Sequence, residues 1–240
     1  QSKWLPISLP SGATPIEGSM TRKPKPVLDI PPSPNLTFEQ ALWEDNQQWI
    51  AGLDEAGRGA WAGPVVAAVV IFPPIVNLEK NLLGVRDSKQ MNVQQREFWA
   101  EIIREHAQSW GVGSAGHTEI DQLGILPATR LAMQRALGQL STSPDHLLID
   151  ALLLPQLETP QTALIKGDQR SLSIAAASIL AKTTRDALMR QEDHNYPVYG
   201  FSRHKGYGTR FHQQALAENG PCPIHRMSFR PLREQFSFIF

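Results

Sequence analysis

The chain has little cysteine, no long apolar run and no net charge. Its single cysteine, Cys222, excludes an internal disulfide and agrees with a reducing compartment, so we expect a cytoplasmic protein. The longest apolar run, residues 65–72, is far shorter than the roughly 20 residues that cross a bilayer, so no membrane partner is expected. The first residues lack the pattern of a secretory signal. With 240 residues and 41% hydrophobic composition, the chain can bury one substantial core.

Lysine plus arginine and aspartate plus glutamate balance at 23 each, but the two signs are unevenly distributed. Residues 1–165 carry 12 basic and 17 acidic side chains, whereas residues 166–240 carry 11 and 6. A basic C-terminal third can contact phosphates while the acidic part collects metal ions, although chance asymmetry of a solvated surface gives the same counts. The distribution therefore permits a nucleic-acid partner without requiring one.

Three regions follow from composition and periodicity. Residues 1–36 contain eight prolines and few apolar side chains, which predicts a flexible leader outside the core. Residues 37–195 form the predicted catalytic core, and residues 196–240 form a basic, helical C-terminal extension. Within the core, the predicted strands are 49–53, 64–72, 109–115, 147–150 and 163–165. The predicted helices are 38–46, capped by Thr37, then 93–106, 126–140 and 171–190. The order indicates an α/β fold with a mixed central sheet.

Four acidic residues lie at or just beyond predicted strand ends: Asp54, Glu55, Asp150 and Asp168. In open α/β sheets, ligands gather at such carboxyl ends. Clustered carboxylates repel one another unless protons or cations neutralise them. Because no Cys/His cluster suggests zinc, oxygen ligands favour Mg²⁺ or Mn²⁺, and two such ions can drive phosphodiester hydrolysis. Any one of these acids alone is more often a turn former or a helix cap, so the set carries the hypothesis.

The segment after the first two acids, Gly57-Arg58-Gly59, lets the chain leave the strand and lets a ligand approach the backbone. A second basic and aromatic segment contains His204, Lys205 and Tyr207 between glycines, which suits a phosphate–sugar backbone with one stacked unit. A surface loop with a packed tyrosine is the alternative interpretation of that segment.

Two lysines outside these segments are further candidates for phosphate contacts, Lys89 and Lys182. Lys89 alone is equally consistent with an exposed loop lysine. Lys182 lies four residues before Asp186, so the two side chains can instead pair with each other, and an ion pair of Arg185 or Asp186 can hold the helix.

Taken together, these motifs resemble those of ribonuclease HII, the type 2 ribonuclease H. The resemblance spans about residues 48–232, in the family's order. Its segments are Asp54-Glu-Ala-Gly-Arg-Gly59, Gly63-Pro-Val65, Asp87-Ser-Lys89, Leu148-Ile-Asp150, Lys166-Gly-Asp168, Ile174-Ala-Ala-Ala-Ser-Ile-Leu-Ala-Lys182 with Arg185-Asp186, His204-Lys-Gly-Tyr207, and Ile224-His-Arg-Met-Ser-Phe229. The chain departs from the family at Ala60-Trp61, where proline and a smaller apolar residue are common.

The resemblance implies an RNase H-like fold with a C-terminal helical extension that grips the duplex. It also implies two Mg²⁺ or Mn²⁺ ions at Asp54, Glu55, Asp150 and Asp168. The substrates would be RNA–DNA hybrids and single ribonucleotides embedded in duplex DNA, cut on the 5′ side to leave a 3′-hydroxyl and a 5′-phosphate. By the same resemblance, Gly57-Arg58-Gly59 senses the ribose 2′-hydroxyl, and Tyr207 packs on the following deoxyribose.

Two alternatives stay open at this point. Another nuclease or strand-transfer enzyme of the same superfamily would share the acids but lack the 2′-hydroxyl sensor. A hybrid-binding protein without catalysis would have one of the acids replaced, and none is. The tail from Gln235 to Phe240 loosely resembles bacterial sliding-clamp-binding peptides, although a tail folded onto the core is the simpler interpretation. We expect a monomer.

Overall fold

Five strands form one mixed sheet in the order β3-β2-β1-β4-β5. The computed structural model describes residues 28 and 30–236. Its strands are β1 Ile50–Ala56, β2 Val65–Ile71, β3 Ser109–Ala115, β4 His146–Asp150 and β5 Gln161–Leu164. β1 to β3 are antiparallel neighbours, as predicted for the first two, whereas β4 runs parallel to β1 and β5 runs parallel to β4. The parallel half of the sheet therefore directs the ends of β1, β4 and β5 toward one edge.

Helices cover both faces of this sheet. They are α1 Thr37–Glu44, α2 Leu78–Asn81, α3 Val93–His106, α4 His117–Leu123, α5 Ile125–Leu137, α6 Leu172–Asn195, α7 Phe201–His204, α8 Arg210–Asn219 and α9 Arg230–Phe236. Short 3-10 helices lie at Ser88–Gln90, Gly167–Gln169 and Pro197–Tyr199. In the part of the chain that the structure describes, no helix has the length and apolarity to cross a membrane.

The long helix α6 packs on one face of the sheet. Its first ten residues are buried, and the Ser171 side chain caps it by accepting a hydrogen bond from the Ile174 amide. Its N-terminal turn lies so close to β1 that a Cβ on Gly52 would overlap the Ser173 backbone. The helix thereby lies directly beside the residues that follow Gly52 on β1.

The opposite face of the sheet is covered by α5. Ala132, Met133 and Ala136 of this helix belong to the same buried cluster as Leu53 and Ile149. Alternate residues of β2 face the two helical layers, and all seven residues of the strand are buried. Each fully buried Val, Leu or Ile contributes about 1.5–3 kcal/mol, so both layers hold the sheet firmly behind its carboxyl edge.

Residues after α6 form a third apolar cluster beside the edge of the sheet. Met189 of α6 packs there with Tyr199, Phe201, Leu216 and Leu232. These helices agree with the helical C-terminal extension that the sequence predicts. The predicted boundaries at residues 36 and 195 stay predictions.

Several predicted boundaries were wrong for identifiable reasons. β1 continues to Ala56, because its ladder with β2 extends through Ala56 opposite Val66. Thr37 lies inside α1, which Leu36 precedes without a side-chain cap. At the end of the predicted leader, Leu36 is 3% exposed and Asn35 pairs with Ser171. Residues 1–27 and 29 of that leader lie outside the described residues.

Candidate active site

The strand register brings two of the predicted acids together. β1 and β4 pair in parallel with Leu53 opposite Ile149, so the next residues, Asp54 and Asp150, lie side by side on strands about 4.8 Å apart. The turn after β5 folds back onto this pair, because the Gly167 amide donates a 2.7 Å hydrogen bond to Asp150 Oδ1. Asp168 follows that glycine and is 3% exposed.

Asp54 and Glu55 both lie within β1, not beyond its end as predicted. Asp54 is 3% exposed and faces α6, where Ser178 lies near it. Glu55 is held by Arg58, whose Nη1 donates to Glu55 Oε1 at 3.0 Å. Because both residues precede the turn at Gly57, the two side chains reach the same cavity despite their alternation on the strand.

This cavity has a volume of about 680 Å³ and opens at the carboxyl edge of the sheet. Most of the predicted site residues line it: Asp54, Glu55, Gly57, Arg58, Gly59, Lys89, Asp150, Lys182 and Tyr207. The predictions did not single out Ser88, Arg96 and Ser178, which also line it. Asp168 does not line the cavity but is tied to it through Lys89.

The electrostatics of the carboxylates match a cation site. Burial raises the pKa of Asp54 well above its usual range, and the nearby charges of Glu55 and Asp150 raise it further. Burial also raises the pKa of Glu55 and of Asp150, against the opposing effects of Arg58 and of the Gly167 amide. A bound divalent cation would remove this repulsion and favour the ionised carboxylates.

Among the described residues, one carboxylate oxygen at the cavity lacks a hydrogen-bond partner. Glu55 Oε2 is buried and finds no hydrogen-bond donor among the described residues. Buried carboxylate oxygens need a donor or a cation, so this oxygen and its acidic neighbours fit a hard metal ion. Within residues 28 and 30–236, no three Asp, Glu, His or Cys side chains are already grouped as a complete ligand set.

Lys89 connects two of the acidic loops. Its Nζ lies 3.0 Å from Asp168 Oδ2 and 3.9 Å from Asp87 Oδ1. Although burial opposes its charge, the hydrogen bond to Asp168 and the surrounding carboxylates raise the pKa of Lys89 overall. The Asp87 side chain accepts from the Lys89 amide at 2.9 Å and fixes the loop. The Lys89 ammonium group is thereby held at the rim of the cavity beside the acids.

On α6, Lys182 and Asp186 form the pair that their spacing allowed. Lys182 Nζ lies 2.6 Å from Asp186 Oδ1, and Arg96 Nη2 lies 3.2 Å from Asp186 Oδ2. Lys182 still lines the cavity. The predicted ion pair of Arg185 is absent from the described residues, since this guanidinium instead binds backbone carbonyls.

Two buried arginines hold the loop that begins at Gly57. Arg185 donates to the carbonyls of Pro64 and Ala62 at 2.9 and 3.2 Å. Arg226 donates to the carbonyls of Gly63 and Arg58 at 2.9 and 3.0 Å. Burial lowers the pKa of Arg226 to about 9, with Arg185 adding to the effect.

Sequence reasoning missed this supporting role of the arginines because the carbonyls that they bind are distant in sequence. Both arginines lie in segments that resemble motifs of the family, and this was the signal of a role that the sequence offered.

Gly57 is required by this packing. Its φ of +95° lies in the left-handed region, and a Cβ there would lie 2.7 Å from Arg185 Cζ and closer still to its Nε. Gly59 differs, because a Cβ built on it would meet nothing nearer than Tyr207 Cε1 at 4.0 Å. The loop is therefore rigid at its first glycine and open toward the cavity at its second.

Tyr207 lines the same cavity as Asp54, Glu55 and Asp150. The Arg185 guanidinium lies 5.4 Å from the centre of its ring, and the residue is 37% exposed. Trp61, where the chain departs from the family pattern, packs against the same loop at Gly208.

The structure does not bring His204 and Lys205 to the cavity. His204 donates from Nε2 to the Tyr199 carbonyl at 2.7 Å and accepts from the Gly206 amide at Nδ1. Lys205 Nζ donates to the Ser202 carbonyl. Both residues brace the loop that carries Tyr207, and their predicted contact with substrate stays a prediction.

A mixed five-stranded sheet with carboxylates at the ends of adjacent parallel strands, flanked by lysines, defines a phosphodiester hydrolase of the ribonuclease H-like class. Residues 51–231 match the family Ribonuclease HII. Ribonuclease HII of Chloroflexus aurantiacus is 54% identical over 202 residues, which cover 84% of this chain and 95% of that protein. The chain belongs to the ribonuclease HII family.

Solved structures confirm the RNase H-like fold. Ribonuclease H2 from Pyrococcus horikoshii has a TM-score of 0.64 and 27% identity, covering 78% of this chain and 96% of that one. The RNase HII in the PCNA:RNase HII complex from Archaeoglobus fulgidus has a TM-score of 0.64 and 25% identity, covering 76% and 95%. The chain is thus a ribonuclease H, an endonuclease that cleaves the RNA strand of RNA–DNA hybrids.

Proposed function

We propose that this enzyme cuts duplex DNA on the 5′ side of a single embedded ribonucleotide as well as RNA in hybrids, and leaves a 3′-hydroxyl and a 5′-phosphate. The observation that carries the proposal is the parallel register of β1 and β4, which places Asp54 beside Asp150. Both acids line a cavity that Gly59 also lines, and a Cβ built on Gly59 would still lie 4.0 Å from Tyr207 Cε1.

Asp54, Glu55, Asp150 and Asp168 would hold two Mg²⁺ or Mn²⁺ ions. When bound, such ions supply an activated water and stabilise the leaving oxygen of the phosphodiester. The unpartnered Glu55 Oε2 and the raised pKa values of Asp54, Glu55 and Asp150 support this assignment. The chain's own contribution is to hold the four carboxylates at fixed places on a buried sheet.

The proposed substrate contacts line the same cavity. Lys89 and Lys182 would offer ammonium groups to the phosphates that flank the scissile bond. The backbone from Gly57 to Gly59 lines the cavity, with Gly59 exposed, and suits a hydrogen bond to the ribose 2′-hydroxyl, the group that separates RNA from DNA. The Tyr207 ring lies next to Gly59 and would pack on the sugar that follows.

A labelled DNA duplex with one internal ribonucleotide tests the proposal, incubated with Mg²⁺, Mn²⁺ or EDTA beside an all-DNA duplex of the same sequence. We expect cutting on the 5′ side of the ribonucleotide with either metal, none with EDTA, and none of the all-DNA control. Equal cutting of both duplexes would indicate a nuclease without a 2′-hydroxyl sensor. Binding without cutting would indicate a hybrid-binding protein.

The clamp interaction at residues 235–240 stays a prediction, as do the monomeric state and the cytoplasmic location. α9 reaches Phe236, Leu232 anchors it in the third cluster, and residues 237–240 lie outside the described part of the chain. A direct clamp-binding assay of the protein with and without the last six residues tests the clamp interaction, and equal affinity of the two forms would refute it.

A further inference from the structure

A chain of hydrogen bonds runs behind Tyr207, through two buried histidines. The Cys222 amide donates to His225 Nδ1 at 2.9 Å. The Nε2 atoms of His225 and His212 lie 3.0 Å apart, and His212 Nδ1 lies 3.1 Å from the Tyr207 carbonyl oxygen. His212 and His225 are 0% and 1% exposed, so no solvent replaces these bonds.

One set of tautomers satisfies the three contacts named above. The Cys222 carbonyl oxygen also lies 3.2 Å from His225 Nδ1, but a proton on that nitrogen would leave the Cys222 amide without its acceptor and would place two acceptors, the Nε2 atoms, against each other. The Tyr207 carbonyl accepts, so His212 carries its proton on Nδ1 and its Nε2 is the acceptor for His225. His225 then carries its proton on Nε2, which leaves its Nδ1 free to accept from the Cys222 amide. Both rings are neutral, in agreement with the pKa values of His212 and His225, each of which burial lowers to about 4. Each of these three contacts then joins a donor to an acceptor.

This chain of hydrogen bonds joins the loop that begins at Gly57 to the loop that carries Tyr207. His225 pairs with Ala62, and the neighbouring Arg226 donates from its amide to the Trp61 carbonyl, so this segment is bound to the loop that begins at Gly57. His212 binds the loop that carries Tyr207. The histidine pair therefore fixes the Tyr207 loop relative to the glycine loop through direct bonds at each step.

Aromatic packing fixes the plane of the His212 ring. It stacks on His204 with ring centres 4.6 Å apart and planes at 14°, and Trp61 and Phe201 lie within 6 Å of it. His204 is in turn bonded to the Gly206 amide. A ring held in this way directs its Nδ1 proton at the Tyr207 carbonyl.

We propose that His212 and His225 are positioning residues for Tyr207, and that they set the enzyme's discrimination for single ribonucleotides without touching the substrate. The proposal rests on the proposed function of Tyr207 as the ring that packs on the sugar after the ribonucleotide. Its consequence is that breaking the histidine pair impairs the junction substrate more than a long RNA–DNA hybrid, which offers many equivalent cleavage positions.

Steady-state cleavage of both substrates tests the proposal in His212→Phe, His225→Phe and Tyr207→Ala. His212→Phe keeps the ring stack but removes both hydrogen bonds. We expect kcat on the single-ribonucleotide duplex to fall about tenfold, the scale of the lost buried hydrogen bond to the Tyr207 carbonyl, and kcat on the long hybrid to change less than about twofold. His225→Gln retains an amide donor in place of Nε2–H and is expected to keep most of the activity that His225→Phe loses.

His146→Phe, which removes a buried histidine bonded to Thr162, is the matched control and should leave the substrate ratio unchanged.

The double variant His212→Phe/Tyr207→Ala separates this proposal from the function on which it rests. If the histidine acts through Tyr207, the double variant has the same substrate ratio as Tyr207→Ala alone. Equal losses on both substrates in Tyr207→Ala would refute the role of the tyrosine. A shifted ratio in Tyr207→Ala with an unshifted one in His212→Phe would overturn the histidine proposal.

A spectroscopic measurement on the unmodified protein tests the proposal even if the variants do not fold. Long-range ¹H–¹⁵N spectra of the ¹⁵N-labelled protein report which nitrogen of each neutral imidazole carries its proton. We expect the Nδ1–H form for His212 and the Nε2–H form for His225. Any other pair of tautomers would interrupt the chain of hydrogen bonds and overturn the proposal.

Discussion

Replacing Gly57 by alanine tests the packing behind the active-site loop. The substitution adds one methyl group at a residue whose φ is +95°, and it drives that methyl into the Arg185 guanidinium. Arg185 cannot move without breaking its bonds to the Pro64 and Ala62 carbonyls. The perturbation therefore reaches from the glycine loop to α6.

The magnitude follows from these two costs. An alanine in the left-handed region costs about 1–2 kcal/mol, and each buried carbonyl left without its donor costs about 1–3 kcal/mol. We therefore expect Gly57→Ala to lower the free energy of unfolding by about 4 kcal/mol, a large part of the roughly 5–15 kcal/mol that stabilises a typical domain. Cleavage should fall with it, because the displaced loop carries the proposed 2′-hydroxyl contact.

Gly59→Ala is the matched control, since its Cβ meets nothing nearer than Tyr207 Cε1 at 4.0 Å. Urea unfolding followed by circular dichroism measures both variants, and Gly59→Ala is expected to stay within about 0.5 kcal/mol of the unmodified protein. Equal stabilities for Gly57→Ala and Gly59→Ala would refute the assignment of Arg185 as the support of this loop.

Three further predictions follow from the described contacts. Asp54→Asn should reduce cleavage by on the order of 10³-fold while the affinity for a ribonucleotide-containing duplex, measured by fluorescence anisotropy, changes less than about threefold; near-normal turnover would contradict the metal assignment. Because the pKa values of His212 and His225 are about 4 in the folded protein and 6.5 in an unfolded chain, the unfolded state binds more protons between these values. These two groups should leave the free energy of unfolding unchanged above pH 6.5 and lower it by about 3 kcal/mol per histidine as the pH drops to 4; a His212→Phe/His225→Phe variant with the same pH dependence would disprove this. Asn92→Ala removes the capping box of α3 and should cost about 1 kcal/mol in thermal unfolding with cleavage unchanged, and an unaltered melting temperature would count against the cap.

The sequence pattern predicted the elements whose ends carry local signals. β3 and α3 have the predicted bounds, and Asn92 with Gln95 forms a capping box at the start of α3. β1 was ended too early because the glycine turn was assumed to begin where the carboxylates do, whereas the ladder with β2 decides its length. α4 has no strong apolar periodicity and was not predicted.

The candidate site divides in the same way. The four acids were named from their places in or near short strands and a glycine turn, and the parallel register brings Asp54 beside Asp150; their role as metal ligands stays a prediction. The supporting residues were not predictable, because Arg185, Arg226, His212 and His225 act on backbone atoms far away in sequence. Their roles depend on which carbonyl lies opposite a buried side chain, and only the tertiary structure determines that.

Anomalous diffraction from crystals of the enzyme with Mn²⁺ and a ribonucleotide-containing duplex shows where the metal ions bind. We expect two Mn²⁺ peaks at coordination distance, about 2.1 Å, from carboxylate oxygens of Asp54, Glu55, Asp150 and Asp168, with the scissile phosphate beside them. Mn²⁺ bound elsewhere, with these four carboxylates uncoordinated, would contradict it.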